Sequence, residues 1–170
     1  MMRRSRAREV ALQLLYQRDL HPEGKRGQQV RFAKNRLRDA ALQKFCLEIV
    51  EGVHANLKEI DSRLGSVAEN WRLPRMAAVD RNILRMGTWE ILYTPETPPA
   101  AAIDEAIELA RRFGTVDSPR FVNGVLDKLK PQVAAAEEAP PAGPAVDQES
   151  MSADPVVPEK LTLPEGEQGA

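Results

Sequence analysis

Four arginines and one tyrosine near the start of the sequence have the types and spacing to hold a polyanion. Arg3, Arg4, Arg6 and Arg8 fall within six positions, and Tyr16 follows two helical turns later, on the outer side of the helical wheel with Arg6. Guanidinium groups neutralise phosphates and fork onto their oxygens, while an exposed aromatic ring stacks on a base. The helix dipole disfavours cations at a helix start by a few tenths to about 1 kcal/mol each, so four arginines there call for a compensating role. Two structural alternatives stay open: a solvated terminus for the arginines, and packing against a neighbouring helix or loop for Tyr16.

A second cluster opens the last helical stretch, where Asp117, Arg120 and Phe121 surround Ser118-Pro119. On a helical wheel Phe121 sits at the edge of the apolar stripe and Arg120 on the opposite side, an arrangement suited to a nucleotide at a helix N-terminus. The alternative, and the default for an aromatic at that place, is that Phe121 is simply a residue at the edge of the core. The third place is Asp80, which the wheel sets between Gly87 and Ile91, with Glu90 near Ile83. Carboxylates on an apolar stripe are either paired internally, the default, or held at a partner surface.

Catalytic chemistry finds no footing. The two histidines, His21 and His54, have no ligand-type spacing with Cys46, the single cysteine, and no Gly-rich phosphate loop or nucleophile motif is present. No catalytic residue, metal ligand or cofactor is expected. The lone cysteine excludes an intramolecular disulfide and suits a reducing compartment.

The elements that must position these residues are all helical, because every clear apolar pattern up to residue 131 repeats at three or four. A first helix is expected over residues 6–19, capped by Ser5, with Arg3 and Arg4 left as a mobile arm because burying them on the Ala7/Ala11 side is too costly. A short, very basic helix is expected over 28–35. A long apolar-periodic segment follows over 39–64, which Gly52 could bend or split. Leu73-Pro74 should open the next helix, which ends before Thr94. Pro98-Pro99 should start another, with Phe113 on its stripe and Gly114 as a left-handed stop. Asp117 or Ser118 should cap the last helix, and Pro131 should end it. Asn123-Gly124 inside that helix suggests close approach by another backbone. Six or seven helices with short connections imply a compact all-α bundle.

Two segments resemble the NusB family. One is Arg6-Ala7-Arg8-Glu9 running through Leu14-Leu15-Tyr16. The other is the run AIDEAIELARRFG from Ala102, continuing through Asp117-Ser118 into Phe121-Val122-Asn123-Gly124-Val125-Leu126-Asp127-Lys128. Residues 78–86 and Glu90-Ile91-Leu92 are consistent with it, so the resemblance spans residues 3 to 131. It implies two packed helical sub-bundles and a role in antitermination of ribosomal RNA transcription. It also implies binding of boxA-type single-stranded RNA together with NusE, a ribosomal small-subunit protein, with other Nus factors and RNA polymerase engaged indirectly. The RNA contacts it implies are Arg4, Arg6 and Arg8, Tyr16, and Asp117, Arg120 and Phe121. Asp80 falls on the NusE-facing side. Ser5 stands where the family often has another basic residue, and Asp117 must accept from a base or cap its helix, since it repels phosphate. The alternative from another class is a helical protein-interaction scaffold that does not touch RNA. The family's module also begins certain ribosomal RNA cytosine methyltransferases, but no catalytic domain is expected after Pro131.

Composition divides the chain at the same place. Residues 132–170 hold six of the thirteen prolines, no aromatic residue, eight acidic residues and one basic one, and read as a disordered acidic tail. The whole chain carries a net charge of −1, but residues 1–131 alone hold 23 basic against 17 acidic residues. That basic excess suits a polyanionic partner, and the tail's charge could compete with RNA for the arginines. No apolar run approaches the roughly 20 residues of a membrane span, and the chain is expected to be cytoplasmic without membrane contact.

Overall fold

The structure is a computed structural model that describes residues 2–68 and 72–130, the side chains of Met2 and Arg3 excepted. The proposed acidic tail and Pro131 lie outside the described residues.

Seven α-helices and one 3-10 turn make up the described chain: α1 Met2–Leu20, α2 Arg26–Arg36, α3 Ala40–Ala55, α4 Leu57–Val67, the turn Leu73–Arg75, α5 Ala78–Tyr93, α6 Pro99–Phe113 and α7 Ser118–Asp127. No strand occurs among the described residues, as the helical periodicity requires. Helices α1, α2 and α3 pack on one another, and α4, α6 and α7 gather around α5. Helix α5 also packs against α1 and α3, so one core joins the two groups.

The centre of that core is aliphatic. Leu14, Ile49, Ile60, Ile83, Leu84 and Leu126 are fully buried, each worth about 1.5–3 kcal/mol when removed from water. Two glycines let α5 lie close. A Cβ on Gly52 of α3 would fall 2.2 Å from the Trp89 indole nitrogen, and one on Gly87 would fall 2.7 Å from Leu126 of α7.

Several element boundaries depart from the sequence reading. Helix α1 starts at Met2, so the Arg3-Arg4 segment is helical and forms no separate arm. Ser5 does not cap it; its hydroxyl donates to Glu105 of α6 at 3.0 Å. Arg4 meets no burial cost, because it remains exposed while its guanidinium covers the Phe45 ring at 5.0 Å. The long segment breaks at Asn56, whose side-chain amide donates to the Gly52 carbonyl at 2.8 Å, and Gly52 instead makes room for Trp89. Pro74 sits in the 3-10 turn, and α5 begins only at Ala78. Gly114 has extended backbone, φ −91 and ψ −163, so it is no left-handed stop; a Cβ there would strike Ser118 at 2.5 Å. Gly124 is exposed with nothing within 4 Å of its would-be Cβ, so no backbone among the described residues approaches it there.

Candidate nucleic-acid interface

Helix α1 sorts its arginines by their angle on the wheel. Arg8 is turned inward and only 5% exposed. Its Nε and Nη2 donate to the two Glu90 carboxylate oxygens at 2.8 and 2.7 Å, and its Nη1 lies 3.5 Å from Glu105. Burial by itself lowers the Arg8 pKa, but the Glu90 hydrogen bonds and the charges of Glu90 and Glu105 outweigh it and hold the group above its ordinary value. The guanidinium also lies over Phe45, 5.2 Å from the ring centre. Arg8 is therefore a structural clamp joining α1 to α5 and α6; the sequence reading set it among the RNA contacts, whereas here its donors face carboxylates away from solvent. Glu90 follows the default expected for a carboxylate on an apolar stripe.

Arg6, two residues earlier, points out. Its side chain is 46% exposed, with Nη1 donating to Glu9 at 2.5 Å. Glu9 is itself buried and also accepts from Arg112 at the end of α6. That pairing sets a second exposed guanidinium beside the first. The signal for Arg112 in the sequence is the basic last turn of α6, Arg111-Arg112.

Tyr16 is 39% exposed on the outer side of α1, where the wheel set it. It lines a groove of about 380 Å³ together with Phe32 and Arg36 of α2 and Phe113 of α6. Phe113 is 38% exposed, although its stripe position suggested the core. The helix ends there, so the ring lies at the margin of the α6 packing surface.

From Phe113 the chain passes through a short loop to α7. Ser118 is buried and its Oγ accepts the Thr115 N–H at 2.8 Å, which fixes the turn. Asp117 stands at the N-cap position, exposed and making no cap bond through its side chain. Arg120 is exposed, and Phe121 is half-buried against the core, at the stripe's edge as expected. Tyr16 and Phe121 do not share the groove; Phe113 and the loop after it lie between them in the chain.

Asp80 sits in the first turn of α5, half-buried, with Oδ1 enclosed and without a hydrogen-bond partner among the described residues. Beside it Arg81 and Asn82 donate to Asp19 at 3.0 and 2.9 Å, tying the end of α1 to α5. Arg85 binds Asp61 of α4 through two 2.8 Å bonds. No cluster of three or more His, Cys, Asp or Glu positioned for a metal ion occurs among the described residues. No described helix is long and apolar enough to cross a membrane.

The fold and this face define a class: a closed helical bundle that displays guanidinium and aromatic side chains along the outer side of its first helix and the ends of its last two. A family profile described as "NusB family" matches residues 5–131. The transcription antitermination protein NusB of Elusimicrobium minutum (strain Pei191) is 47% identical over 129 residues, covering 73% of this chain and 90% of that protein. The chain belongs to the NusB family. Among solved structures, T. maritima NusB aligns with a TM-score of 0.69 and 33% identity, covering 79% of this chain and 94% of the other. A chain in the crystal structure of the antitermination factors NusB and NusE in complex with dsRNA has a TM-score of 0.68 and 24% identity, covering 79% and 98%, a likeness of fold.

Proposed function

We propose that this chain is a cytoplasmic transcription antitermination factor that binds boxA-type single-stranded RNA in nascent ribosomal transcripts, together with NusE. The observation that carries the reading is the outward placement of Arg6, Tyr16 and Arg120, in contrast to Arg8 and Arg85, which are closed into ion pairs. Exposed guanidinium groups supply phosphate contacts and the salt dependence that follows from counterion release. Tyr16 and the accessible side of Phe121 supply stacking surfaces. Asp117 accepts from a base edge. Asp80 lies on the side facing NusE, through which other Nus factors and RNA polymerase are engaged indirectly. No covalent step is needed. Residues 1–131 form the RNA-binding unit, and the acidic segment 132–170 lies outside it.

The test is equilibrium binding of boxA-type RNA by the full chain, with and without NusE. Binding that tightens as salt falls, and tightens further with NusE, is expected. Binding of NusE with no RNA binding in either condition would leave the scaffold reading in its place.

A further inference from the structure

Helix α2 carries a charge pattern that the antitermination reading does not use. Residues 25–38 contain six basic residues, Lys25, Arg26, Arg31, Lys34, Arg36 and Arg38, and no acidic one. All six are exposed. Arg26 pairs with Glu51 at 2.8 Å, whereas Arg31, Lys34 and Arg38 form no ion pair among the described residues. Like charges three and four apart on a helix repel, and soluble surfaces ordinarily intersperse the two signs. The first turn of α2 has no acidic residue and its N-cap makes no side-chain bond, so within the helix only the dipole at its C-terminal end, near Lys34 and Arg36, offsets that repulsion.

The same helix forms one wall of the Tyr16 groove. Arg36 stacks over Phe32 with its guanidinium carbon 5.0 Å from the ring centre, and across the groove stand Tyr16 and Phe113. About 380 Å³ falls within the size range of small-ligand pockets, roughly 300–1,000 Å³. Three aromatic rings with one guanidinium fit a flat base and its phosphate, because every base has a stackable face. An acidic peptide would satisfy the cations but brings a flat ring only where an aromatic residue falls, whereas every nucleotide joins a base to its phosphate.

We propose that the RNA path extends from α1 onto α2, with one base seated among Tyr16, Phe32 and Phe113 and Arg36 on its phosphate, and that the strand then crosses the solvent face of α2, where Arg31 and Lys34 take the phosphates beyond. This inference rests on the RNA-binding reading above and adds α2 as a second backbone-binding surface, one that holds nucleotides flanking the core element.

The experiment compares fluorescence-anisotropy affinities of the full chain for a short boxA-type RNA and for the same RNA lengthened by several nucleotides at either end. Wild type is expected to bind one of the lengthened RNAs more tightly than the short one. Arg31→Gln/Lys34→Gln should lower affinity for that RNA about tenfold and reduce the log–log salt slope by about 1.4, at about 0.7 for each phosphate no longer neutralised. The reduction for the short RNA should be smaller. Arg36→Gln should act in the same direction. Lys58→Gln/Arg75→Gln removes two exposed positive charges elsewhere and should change neither affinity. If the α2 variants bind both RNAs like wild type, the α2 path is overturned while the RNA-binding reading stands. The same holds if they lose only NusE affinity, and α2 is then a protein surface. A wild-type chain that binds none of these RNAs, with NusE or without, overturns both readings.

Discussion

The inner and outer sides of α1 use the same residue type for opposite purposes. Arg8 reaches inward to Glu90 and Glu105 and is shut off from water, whereas Arg6 stays at the surface on Glu9. Position on the wheel, and not residue chemistry, decides which arginine is structural. A buried guanidinium with two carboxylates is costly to break, because removing one partner leaves an uncompensated charge. An exposed one is cheap to remove from the fold and remains available to a phosphate.

The largest effect should come from breaking the inner side. Arg8→Ala should destabilise the fold by about 3–5 kcal/mol, read by denaturant unfolding, since Glu90 is left buried without its partner. Arg8→Met with Glu90→Leu should recover much of that stability, because the pair is then removed whole. A loss below about 1 kcal/mol for Arg8→Ala would place Arg8 in the same class as the exposed pairs.

Cys46 offers a second readout on this side. It is fully buried on α3, next in sequence to the Phe45 ring that Arg8 covers. Burial pushes its thiol up to about 12. The fold thus favours the protonated thiol, a contribution to stability that is present below the ordinary thiol value of roughly 8.5 and is lost as pH rises toward 12. Thiol reagents should label the native chain only through unfolding, and Arg8→Ala should accelerate labelling at pH 8. Equal labelling rates for native and denatured wild type would contradict this burial.

The outer side should respond in binding and hardly in stability. Phe121→Ala should weaken RNA affinity by about 1–3 kcal/mol with the salt slope little changed, because stacking is lost and no charge is. Arg6→Ala should weaken binding less and flatten the salt slope by about 0.7, with unfolding shifted by less than about 1 kcal/mol. Equal salt slopes for the two variants would erase the division between stacking and phosphate contacts. The smallest effect is expected from removing residues 132–170, whose acidic excess should cost some RNA affinity at low salt. Unchanged affinity there would leave the segment without a part in binding.

Much of this contrast was legible in the sequence. Helical periodicity placed all seven α-helices or their parents, and the wheel set Tyr16 outward and flagged Glu90 as a carboxylate whose default is an internal partner. What it could not supply was that partner, because Arg8 and Glu90 are 82 residues apart and only packing of α1 on α5 brings them together. The supposed arm failed for a related reason: Phe45 of α3 gives Arg4 an aromatic surface to cover without burial, which a single-helix wheel does not contain. Phe113 looked internal on its stripe but lies where α6 ends, so it joins Tyr16 in the groove. The break at Asn56 was displaced from Gly52, because that glycine serves the close approach of Trp89.

The most direct measurement follows the arginine side-chain Nε–H resonances of the full chain by NMR as boxA-type RNA is added. Arg6 and Arg120 should shift, while Arg8 should stay in place, held by Glu90. RNA-induced shifts at Arg8 with Arg6 and Arg120 unmoved would contradict the assignment of the outer side of α1 to RNA and the inner side to the fold.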